Sequence, residues 1–531
     1  MQKEISLQLG PATAGEPIAL ATAIAAACGV PAEQITGHRL LKQSIDARGR
    51  DIKVNVKVLA FIDEPFVPRN QQHHSFPHLS ASAPRVVVIG AGPAGLFAAL
   101  ELIQLGLRPI VIDRGKDVKS RRRDLAAMNK AGIVNPESNY CFGEGGAGTY
   151  SDGKLYTRSN KRGNVQKVLE IFHQFGADEK ILSQSHPHIG TNKLPQIITA
   201  MREAIVAAGG EVLFEKKLIG FEKNKDRIKA IQTADGDSIN GEAFLLATGH
   251  SARDVFTLLH QENWLIEAKP FALGVRVEHP QAIIDAAQYH CEQRGPYLPP
   301  ASYSLVEQVG GRGVFSFCMC PGGIIAPAAT APGEIVVNGW SPSKRNNPYA
   351  NSGMVVTVDA ADAWQYFSAA EKKEKQLNPD HPLLLMAFQA AIEQKAFAAG
   401  GGNLQAPAQR LTDFGQRQVS GSLPQCSYLP GIVSADLQTV LPSFVYQSLA
   451  GGFAAFGKKI RSYYSSEAVV VATESRTSSP VRIPRDPIGL QHPQVANLYP
   501  CAEGAGYAGG IVSAAMDGQK CATAIAAVLK P

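Results

Sequence analysis

The clearest change in the pattern of hydrophobic and polar positions begins at Arg85. The run Arg85–Gly90 (RVVVIG) is continuously apolar, as in a buried strand. A glycine-rich turn follows, and Pro93–Leu105 has the apolar spacing of a helix before a second apolar run at Pro109–Asp113. Strand, helix and strand within so short a segment predict a right-handed crossover unit with two parallel strands.

The first 66 residues have a separate pattern. Ile18–Cys28 is an alanine-rich helical run, and Asp51–Ile62 begins with the alternation of polar and apolar residues that is typical of a half-buried strand. We therefore expect a small α+β domain over residues 1–66. Residues 67–83, rich in proline, serine and histidine, have the composition of a linker. Its histidines are expected to be solvated and to bind no metal: His73, His74 and His78.

Later segments mix predicted strands with loops. After the crossover unit, strands are predicted at Glu211–Phe214, in a meander over Lys217–Ile239, and at Glu242–Thr248. The middle of the chain, about 265–485, is rich in glycine and proline and predicts a mixed α+β region. The chain closes with a strand-like segment, Val495–Pro500, and a helix, Ile511–Leu529.

Composition narrows the class of protein. A chain of 531 residues exceeds the size at which one core keeps growing, so two to four domains are expected. Hydrophobic residues make up 45% and charged residues 18%, which describes a globular protein. The net charge is +6, and the first 70 residues carry eight Lys or Arg against seven Asp or Glu. A nucleic-acid partner is therefore not expected.

Cysteine spacing and the first residues bear on metals and location. The eight cysteines lie apart except for Cys318 and Cys320, with no C-x-x-C pair and no zinc-finger spacing, so we expect reduced thiols and no metal site. The start, MQKEISLQLG, lacks a signal-peptide pattern, and the apolar run Ile18–Val30 is too short to span a bilayer. We expect a cytoplasmic protein with no membrane partner.

The glycine turn after the first strand carries the main chemical signal. Gly90, Gly92 and Gly95 fit G-x-G-x-x-G between a predicted strand and a predicted helix. These glycines allow a tight turn, a close approach of the backbone to a pyrophosphate, and close packing of helix on strand. Asp113 ends the next strand, where a carboxylate can accept both ribose hydroxyls. The predicted dinucleotide contacts here are Gly90, Gly92, Pro93, Ala94, Gly95 and Asp113.

Distant segments favour FAD over NAD(P). Gly143–Thr149 is a second glycine-rich loop, whose backbone can lie against a ring system or a phosphate. Leu245–Gly249 resembles the A-T-G strand end that passes near FAD in flavoproteins with two dinucleotide folds, and Asn497–Glu503 resembles their ribityl-binding segment. The Glu503 carboxylate is expected to accept a ribityl hydroxyl. The N–H groups of Gly510 and Ile511, at the start of the last helix, are expected to face flavin N1 and O2.

Four longer runs carry a resemblance to a known family. FGEGGAGTYSDGKL, SIDARGRDI, FCMCPGG and EGAGYAGGIVSAAMDG resemble the uncharacterised bacterial FAD-dependent (NAD/FAD-utilising) dehydrogenases, which add a small N-terminal domain to a flavoprotein fold. The resemblance covers nearly the whole chain and implies FAD and an oxidoreductase, without a substrate. Asp113 stands where many relatives have Glu, and Ala502 where Gly is usual. Arg121 matches a family arginine, which places it near the pyrophosphate.

These observations define a fold class and a set of cofactor residues. The expected class is α/β, with a Rossmann-like FAD-binding domain split into 84–264 and 486–531, and with a mixed α+β substrate domain inserted over 265–485. Beside the fingerprint, the predicted FAD contacts are Arg114, Arg121, Gly145, Gly146, Ala147, Gly148, Thr149, Leu218, Thr248, Gly249, Glu503, Gly510 and Ile511.

Catalytic candidates are fewer. If Gly313–Cys320 is a strand, Ser316, Cys318 and Cys320 share one face, and the turn after them could bring two thiols towards the flavin as a proton donor or redox partner. Buried cysteines are also common core residues, so packing is the alternative. His188, just before a predicted helix, could face a substrate or have a structural role.

The expected activity is the transfer of hydride or electrons through flavin N5 to or from an unknown small substrate or acceptor. No second strand-associated G-x-G-x-x-G is visible, so NAD(P)H, if it is the reductant, is expected to dock transiently or on a nonstandard surface. Two other functions stay open: an RNA-modifying flavoprotein, against which the near-neutral N-terminal domain argues, and a flavin-binding sensor without turnover.

Overall fold

The computed structural model describes residues 1–69, 72–157 and 163–530. The N-terminal unit contains β1 Gln2–Leu9, α1 Pro11–Gly15, α2 Pro17–Cys28, β2 Ile35–Asp46 and β3 Lys53–Ile62. Its strands form an antiparallel sheet in the order β1-β3-β2. The alternation seen in the sequence buries Val54, Val56 and Val58 on one face, where Ile24 of α2 covers them.

The predicted linker is more closely packed than its composition indicates. Residues 70 and 71 lie outside the described residues, but His74 is only 8% exposed and its ring Nε2 lies 3.3 Å from Glu170 Oε2. Phe76 stacks on Phe175. The expectation that His74 is solvated is therefore wrong, because this segment packs along the following domain.

The segment after the linker builds the parallel sheet. Its elements are β4 Arg85–Ile89, α3 Pro93–Gln104, β5 Arg108–Ile112, α4 Val118–Ala131, α5 Val165–Gln174, α6 Leu194–Ala207, β6 Glu211–Leu213, β7 Leu218–Asn224, β8 Arg227–Thr233, β9 Ser238–Asn240, β10 Ala243–Leu246 and α7 Arg253–Gln261. β7, β8 and β9 form a separate antiparallel meander.

The remainder of the chain adds a second large sheet and then returns to the first. Its elements are β11 Glu267–Ala268, β12 Phe271–Pro280, α8 Gln281–Tyr289, β13 Val306–Val309, β14 Arg312–Cys320, β15 Ile324–Pro327, β16 Val337–Trp340, β17 Tyr349–Val358, α9 Ala360–Tyr366, α10 Ala369–Glu374, α11 Leu384–Ala399, β18 Ala406–Arg410, α12 Leu411–Gln416, β19 Ile432–Ser434, α13 Leu437–Val440, α14 Ser443–Lys459, β20 Val469–Glu474, β21 Val481–Arg482, β22 Leu498–Pro500 and α15 Ile511–Leu529.

The parallel sheet has the strand order β22-β10-β4-β5-β6. The chain winds from β4 to β5 and β6 on one side and then to β10 and β22 on the other, so the winding reverses between β4 and β10. Ligands of such sheets bind at this reversal, outside the carboxyl ends of the strands. The C-terminal helix α15 packs on α3 so closely that a Cβ on Gly518 would lie 2.1 Å from Ala94 O.

The second sheet has the order β13-β14-β17-β12-β20-β18-β19 and is antiparallel apart from the pair β18–β19. Together with the parallel sheet it confirms the predicted α/β class with an inserted mixed α+β region. The boundaries placed at 66, 83, 264 and 485 stay predictions. No helix in the described parts of the chain is both long and apolar enough to cross a bilayer.

A β-bulge interrupts β14. Phe317 pairs with Gly353 and Cys320 pairs with Asn351, so Cys318 and Met319 together oppose the single residue between those partners. Cys318 has a positive φ of 47°. The prediction that Ser316, Cys318 and Cys320 share one face is wrong, because the extra residue reverses the alternation after Phe317.

Candidate functional site

A cavity of about 300 Å³ opens at the carboxyl ends of β4 and β10 and continues to the second sheet. It contains most of the residues predicted from the sequence. Those in its wall are Gly90, Gly92, Pro93, Ala94, Asp113, Arg114, Gly146, Ala147, Gly148, Leu218, Thr248, Gly249, Cys318, Glu503, Gly510 and Ile511. Predicted site residues from distant parts of the sequence therefore surround one cavity in the fold.

The glycine turn between β4 and α3 forms one end of this cavity. Gly90 has a φ of 110°, and a Cβ there would lie 2.4 Å from Ala247 O. A Cβ on Gly95 would lie 1.9 Å from Gly90 O, so Gly95 is required for packing and lies behind the cavity wall. Around Gly92, in contrast, the nearest atom to such a Cβ is Gly146 Cα at 3.9 Å. Gly92 thus keeps the cavity itself free of a side chain.

Two helices begin at the cavity. α3 follows Gly92 and α15 follows Gly510, and no side chain of a described residue caps either N-terminus. Ala94 and Ile511, in the first turns, both line the cavity. Uncapped helix N-termini present free N–H groups and positive potential, so the cavity wall beside each of them favours negatively charged or electron-rich groups of a ligand.

Asp113 organises the loops around the turn. Its Oδ2 accepts from Ala91 N at 2.9 Å, and its Oδ1 accepts from Gly115 N and Gly143 N, each at 2.9 Å. A carboxylate has about four acceptor positions, so three of them are occupied. The sequence indicated that Asp113 can accept both ribose hydroxyls. Since one acceptor position remains for a ligand, we now expect it to accept one of them.

Arg121 lies behind the cavity wall. Its guanidinium is fully buried and donates to Asn139 O at 2.8 Å, Glu144 O at 2.8 Å and Gly146 O at 2.9 Å. The prediction that Arg121 contacts a pyrophosphate is therefore wrong. Its hydrogen bonds instead hold the second glycine loop in shape.

Two other predicted residues of that loop also lie behind the cavity wall, where their hydrogen bonds hold the loop in shape. Gly145 N donates to Ala91 O at 2.8 Å, and Thr149 Oγ1 donates to Glu144 O at 2.7 Å. Neither residue is part of the cavity wall. Arg114 does reach the wall, where its guanidinium lies 4.5 Å from the centre of the Phe142 ring and pairs with Asp254.

The strand end after β10 presents an unsatisfied group. Thr248 Oγ1 is buried at the cavity and has no hydrogen-bond partner among the described residues. The neighbouring His250 was not predicted from the sequence, although it directly follows the A-T-G motif. Burial, reinforced by Arg476, lowers the pKa of His250 to about 4, so its ring is neutral at pH 7. Its Nδ1 lies 2.7 Å from Ser251 Oγ.

Glu503 also lies in the cavity wall, and its Oε1 is close to Gly509, just before the start of α15. No hydrogen bond from a described residue reaches its carboxyl group. Burial raises the pKa of Glu503 to about 8, and the positive charge of Lys269 only partly offsets this increase. At pH 7 the group is therefore largely a neutral acid, which can donate as well as accept a hydrogen bond, whereas the sequence predicted a carboxylate acceptor.

A pH dependence of stability follows for Glu503. Its pKa is about 8 in the folded protein against an ordinary value of 4.5, so unfolding releases a proton between these values. The free energy of unfolding should therefore fall as the pH rises from about 4.5 to 8. We expect this fall to be smaller in Glu503→Gln, measured by urea unfolding of the FAD-loaded protein at pH 5.5 and 8. Identical pH profiles for the two proteins would show that Glu503 is an ordinary carboxylate.

Comparison with known proteins identifies the family. Residues 84–243 match the family described as FAD binding domain, and residues 270–477 match the one described as FAD-dependent protein, C-terminal domain-like. Residues 1–61 match a domain of unknown function. An uncharacterized protein from Clostridium beijerinckii is 40% identical over 508 residues, which are 92% of this chain and 92% of that protein. The chain belongs to this family of FAD-dependent proteins.

The solved structures that are similar to this chain share a much lower sequence identity with it. 2,6-Dihydroxypyridine-3-hydroxylase from Arthrobacter nicotinovorans is 10% identical with a TM-score of 0.38, covering 85% of this chain and 84% of that one. Glycine oxidase from Bacillus cereus is 12% identical with a TM-score of 0.29, covering 84% and 95%. CtdE, solved in complex with FAD, is 9% identical with a TM-score of 0.31, covering 84% of each.

FAD is the cofactor of this flavoprotein. Because FAD carries out redox chemistry, the protein is an oxidoreductase. The cavity fits FAD. FAD carries a pyrophosphate and polar ribose and ribityl groups, and the wall offers two uncapped helix N-termini, the unpaired Thr248 hydroxyl and the unpaired Glu503 carboxyl. The bare backbone at Gly92 leaves room for the phosphates.

At its far end the cavity meets a charged cluster that the sequence analysis did not single out. Lys154 lines the cavity, and its ammonium donates to Met319 O and lies 3.7 Å from Cys318 Sγ and 3.9 Å from Cys320 Sγ. Asp152, which is 2% exposed, pairs with Lys154 at 3.5 Å and with Arg345 at 3.4 Å. Both Asp152 and Lys154 belong to the run FGEGGAGTYSDGKL, so an acid and a base within a glycine-rich loop were the available signal.

His188 lies beside this cluster but is not part of the cavity wall. It forms an isolated antiparallel bridge with Lys154. Burial, followed by the charge of Arg345, lowers the pKa of His188 to about 4. That His188 faces a substrate stays a prediction: its buried Nε2 has no hydrogen-bond partner among the described residues, while its backbone pairs with the Lys154 segment.

A second charged cluster connects α7 to the inserted region. Arg476, in the cavity wall, pairs with Glu393 at 2.9 Å and with Glu334 at 3.1 Å. Arg253 of α7 pairs with the same two carboxylates at 2.8 and 2.7 Å. Glu393 is fully buried, and although burial acts to raise its pKa, Arg253 and Arg476 hold that pKa at about 2.

Proposed function

We propose that this flavoprotein transfers two electrons, as a hydride at flavin N5, between FAD and a small substrate or acceptor held against the second sheet. One observation carries the proposal: a single cavity joins the glycine turn at Gly92 to Lys154 and Cys318 on the far side. The turn at Gly92 would hold the pyrophosphate of FAD, and the rest of the cavity would then take the flavin towards β14. The protein's own contribution is to bind, orient and polarise the reacting groups.

The far part of the cavity supports a small substrate with one polar or anionic group. Phe317, Trp340 and Tyr140 supply aromatic surface, as in most small-molecule sites. Lys154 supplies a positive charge: burial alone would lower its pKa, but Cys318, Cys320 and Asp152 raise it. An ammonium that stays charged in a partly buried wall orients a carboxylate, a carbonyl or a phenolate of the substrate. A nicotinamide reductant would dock transiently at the same opening.

Anaerobic double-mixing experiments test the proposal. The FAD-loaded protein is reduced with NADH, NADPH or dithionite and then mixed with a water-soluble quinone or a low-molecular-weight disulfide, while the flavin absorbance is followed. We expect at least one acceptor to reoxidise the flavin about tenfold faster than buffer alone, and Lys154→Met to slow this step with FAD retained. Lys373→Met, at an exposed position of α10, is the matched control and should react as the parent does.

Two results of these mixing experiments would contradict the proposal. A flavin that dithionite reduces but that no acceptor of the panel reoxidises faster than buffer contradicts the enzyme proposal and favours a flavin-binding sensor. Equal rates in the parent and in Lys154→Met would remove the far part of the cavity from the reaction.

A further inference from the structure

We propose that Cys318 and Cys320 form a redox-active pair, which stores two electrons and exchanges them with FAD. The inference rests on the proposed function, because it adds a carrier between the flavin and the substrate of the same cavity. It assigns a chemical role to the bulge in β14.

The bulge gives the two thiols different positions around one cation. Cys318 lies in the cavity wall, whereas Cys320 is fully buried behind it. Cys320 Sγ lies 3.3 Å from Cys318 O, and its single thiol proton is also within reach of the Cys318 sulfur. Lys154 Nζ lies within 4 Å of both sulfurs. The pair thus has one sulfur open to the cofactor cavity and a second sulfur within reach of the first.

The charges around the pair favour one thiolate and one thiol. The hydrogen bond from Cys320 lowers the pKa of Cys318, and Lys154 and Arg276 act in the same direction against the effect of burial. The same hydrogen bond and burial raise the pKa of Cys320. A thiolate beside cations, with a protonated partner next to it, is the arrangement found in reactive cysteine pairs.

Buried side chains hold Arg276 at this position. Arg276 is fully buried, pairs with Glu474 at 2.7 Å, and donates to Asn351 Oδ1 at 2.6 Å. Its Nη1 lies 4.0 Å from Cys320 Sγ and 3.4 Å from Cys318 O. A guanidinium held in this way keeps a positive charge next to the sulfurs whether or not a substrate is present.

The electron exchange balances without another reactant. The disulfide between Cys318 and Cys320 takes two electrons from reduced FAD, and its S–S bond breaks. Cys318 is left as the thiolate facing Lys154, while Cys320 takes the proton that reduced FAD, present as the monoanion, releases on oxidation. The reverse reaction oxidises the two cysteines and reduces FAD.

The other cysteines of the described chain offer no equal arrangement. Cys141 also lines the cavity, but its sulfur lies near Ser251 Oγ at 3.5 Å and Ala328 O at 4.0 Å rather than near a second thiol. Cys501 and Cys521 are close to each other but are buried outside the cavity wall, where Arg485 contacts Cys521. The reactive pair is therefore specific to β14.

Counting electrons in a reductive titration tests the pair separately from catalysis. The FAD-loaded protein is first oxidised with a low-molecular-weight disulfide, desalted, and titrated anaerobically with dithionite. We expect the parent to take up about four electrons per FAD, two for the flavin and two for the disulfide. Cys318→Ser and Cys320→Ser should each take up about two. Cys141→Ser, which removes a thiol from the same cavity, is the matched control and should keep the parent's value.

A second measurement needs no variant. Alkylation of the parent before and after reduction, read by peptide mass spectrometry, should show label on Cys318 and Cys320 only after reduction. A parent that takes up about two electrons per FAD, or whose two cysteines are alkylated equally before and after reduction, overturns the pair while leaving the FAD-dependent function intact. A protein whose flavin itself accepts no electrons would instead overturn the proposed function.

Discussion

Replacing Gly92 with leucine is expected to empty the flavin site without unfolding the protein. A Cβ at this position meets no atom closer than 3.9 Å, so the backbone tolerates the substitution. The remaining atoms of the leucine side chain then extend into the cavity, where the bare backbone leaves room for the pyrophosphate. We expect FAD affinity to fall by at least about a hundredfold, which corresponds to about 2.7 kcal/mol. Flavin absorbance per protein and titration with FAD measure the change.

Two other glycines make the result interpretable. Gly421 has no atom within 4 Å of a Cβ and is exposed, so Gly421→Leu should retain FAD as the parent does. In Gly95→Leu the Cβ would lie 1.9 Å from Gly90 O, so this variant should fail to fold rather than fold without flavin. Full flavin content in folded Gly92→Leu would show that the pyrophosphate lies elsewhere.

Substituting Glu393 should cause the largest loss of stability among the charged residues near the site. Glu393 is fully buried and pairs with both Arg253 and Arg476. Removing one partner of a buried ion pair leaves uncompensated charge and costs about 3 to 5 kcal/mol. We expect Glu393→Gln to lower the free energy of unfolding by this amount, measured by urea unfolding of the FAD-loaded protein.

Glu374→Gln, an exposed glutamate of α10, is the matched control and should unfold as the parent does. Because Arg476 and Arg253 connect the cavity wall to α7, Glu393→Gln should also weaken FAD retention. A variant as stable as the parent would mean that Glu334 alone neutralises both arginines.

The sequence predicted the parts of the site that depend on contiguous residues. The glycine turn, α3 and Asp113 follow one another along the chain, and their spacing is set by strand and helix geometry. Thr248 and Glu503 were found because each lies in a short motif at the end of a strand. For these segments local pattern and final position agree.

The errors have a common physical cause in long-range packing. Arg121 was placed by its match to a family arginine, but it turns inwards because carbonyl groups in and before the second glycine loop accept its hydrogen bonds. The face of Cys320 was derived from regular alternation, which a bulge set by pairing with β17 reverses. Arg476 was missed since only the position of the second sheet, whose strand β20 precedes it, brings it to the cavity.

A crystal structure of the FAD-loaded protein tests the central claim most directly. The account predicts density for the pyrophosphate at Gly92 and for the flavin ring in the part of the cavity between Thr248 and Cys318, with open space beside Lys154. A flavin ring that lies outside this cavity, or a pyrophosphate away from the Gly92 turn, would contradict the account.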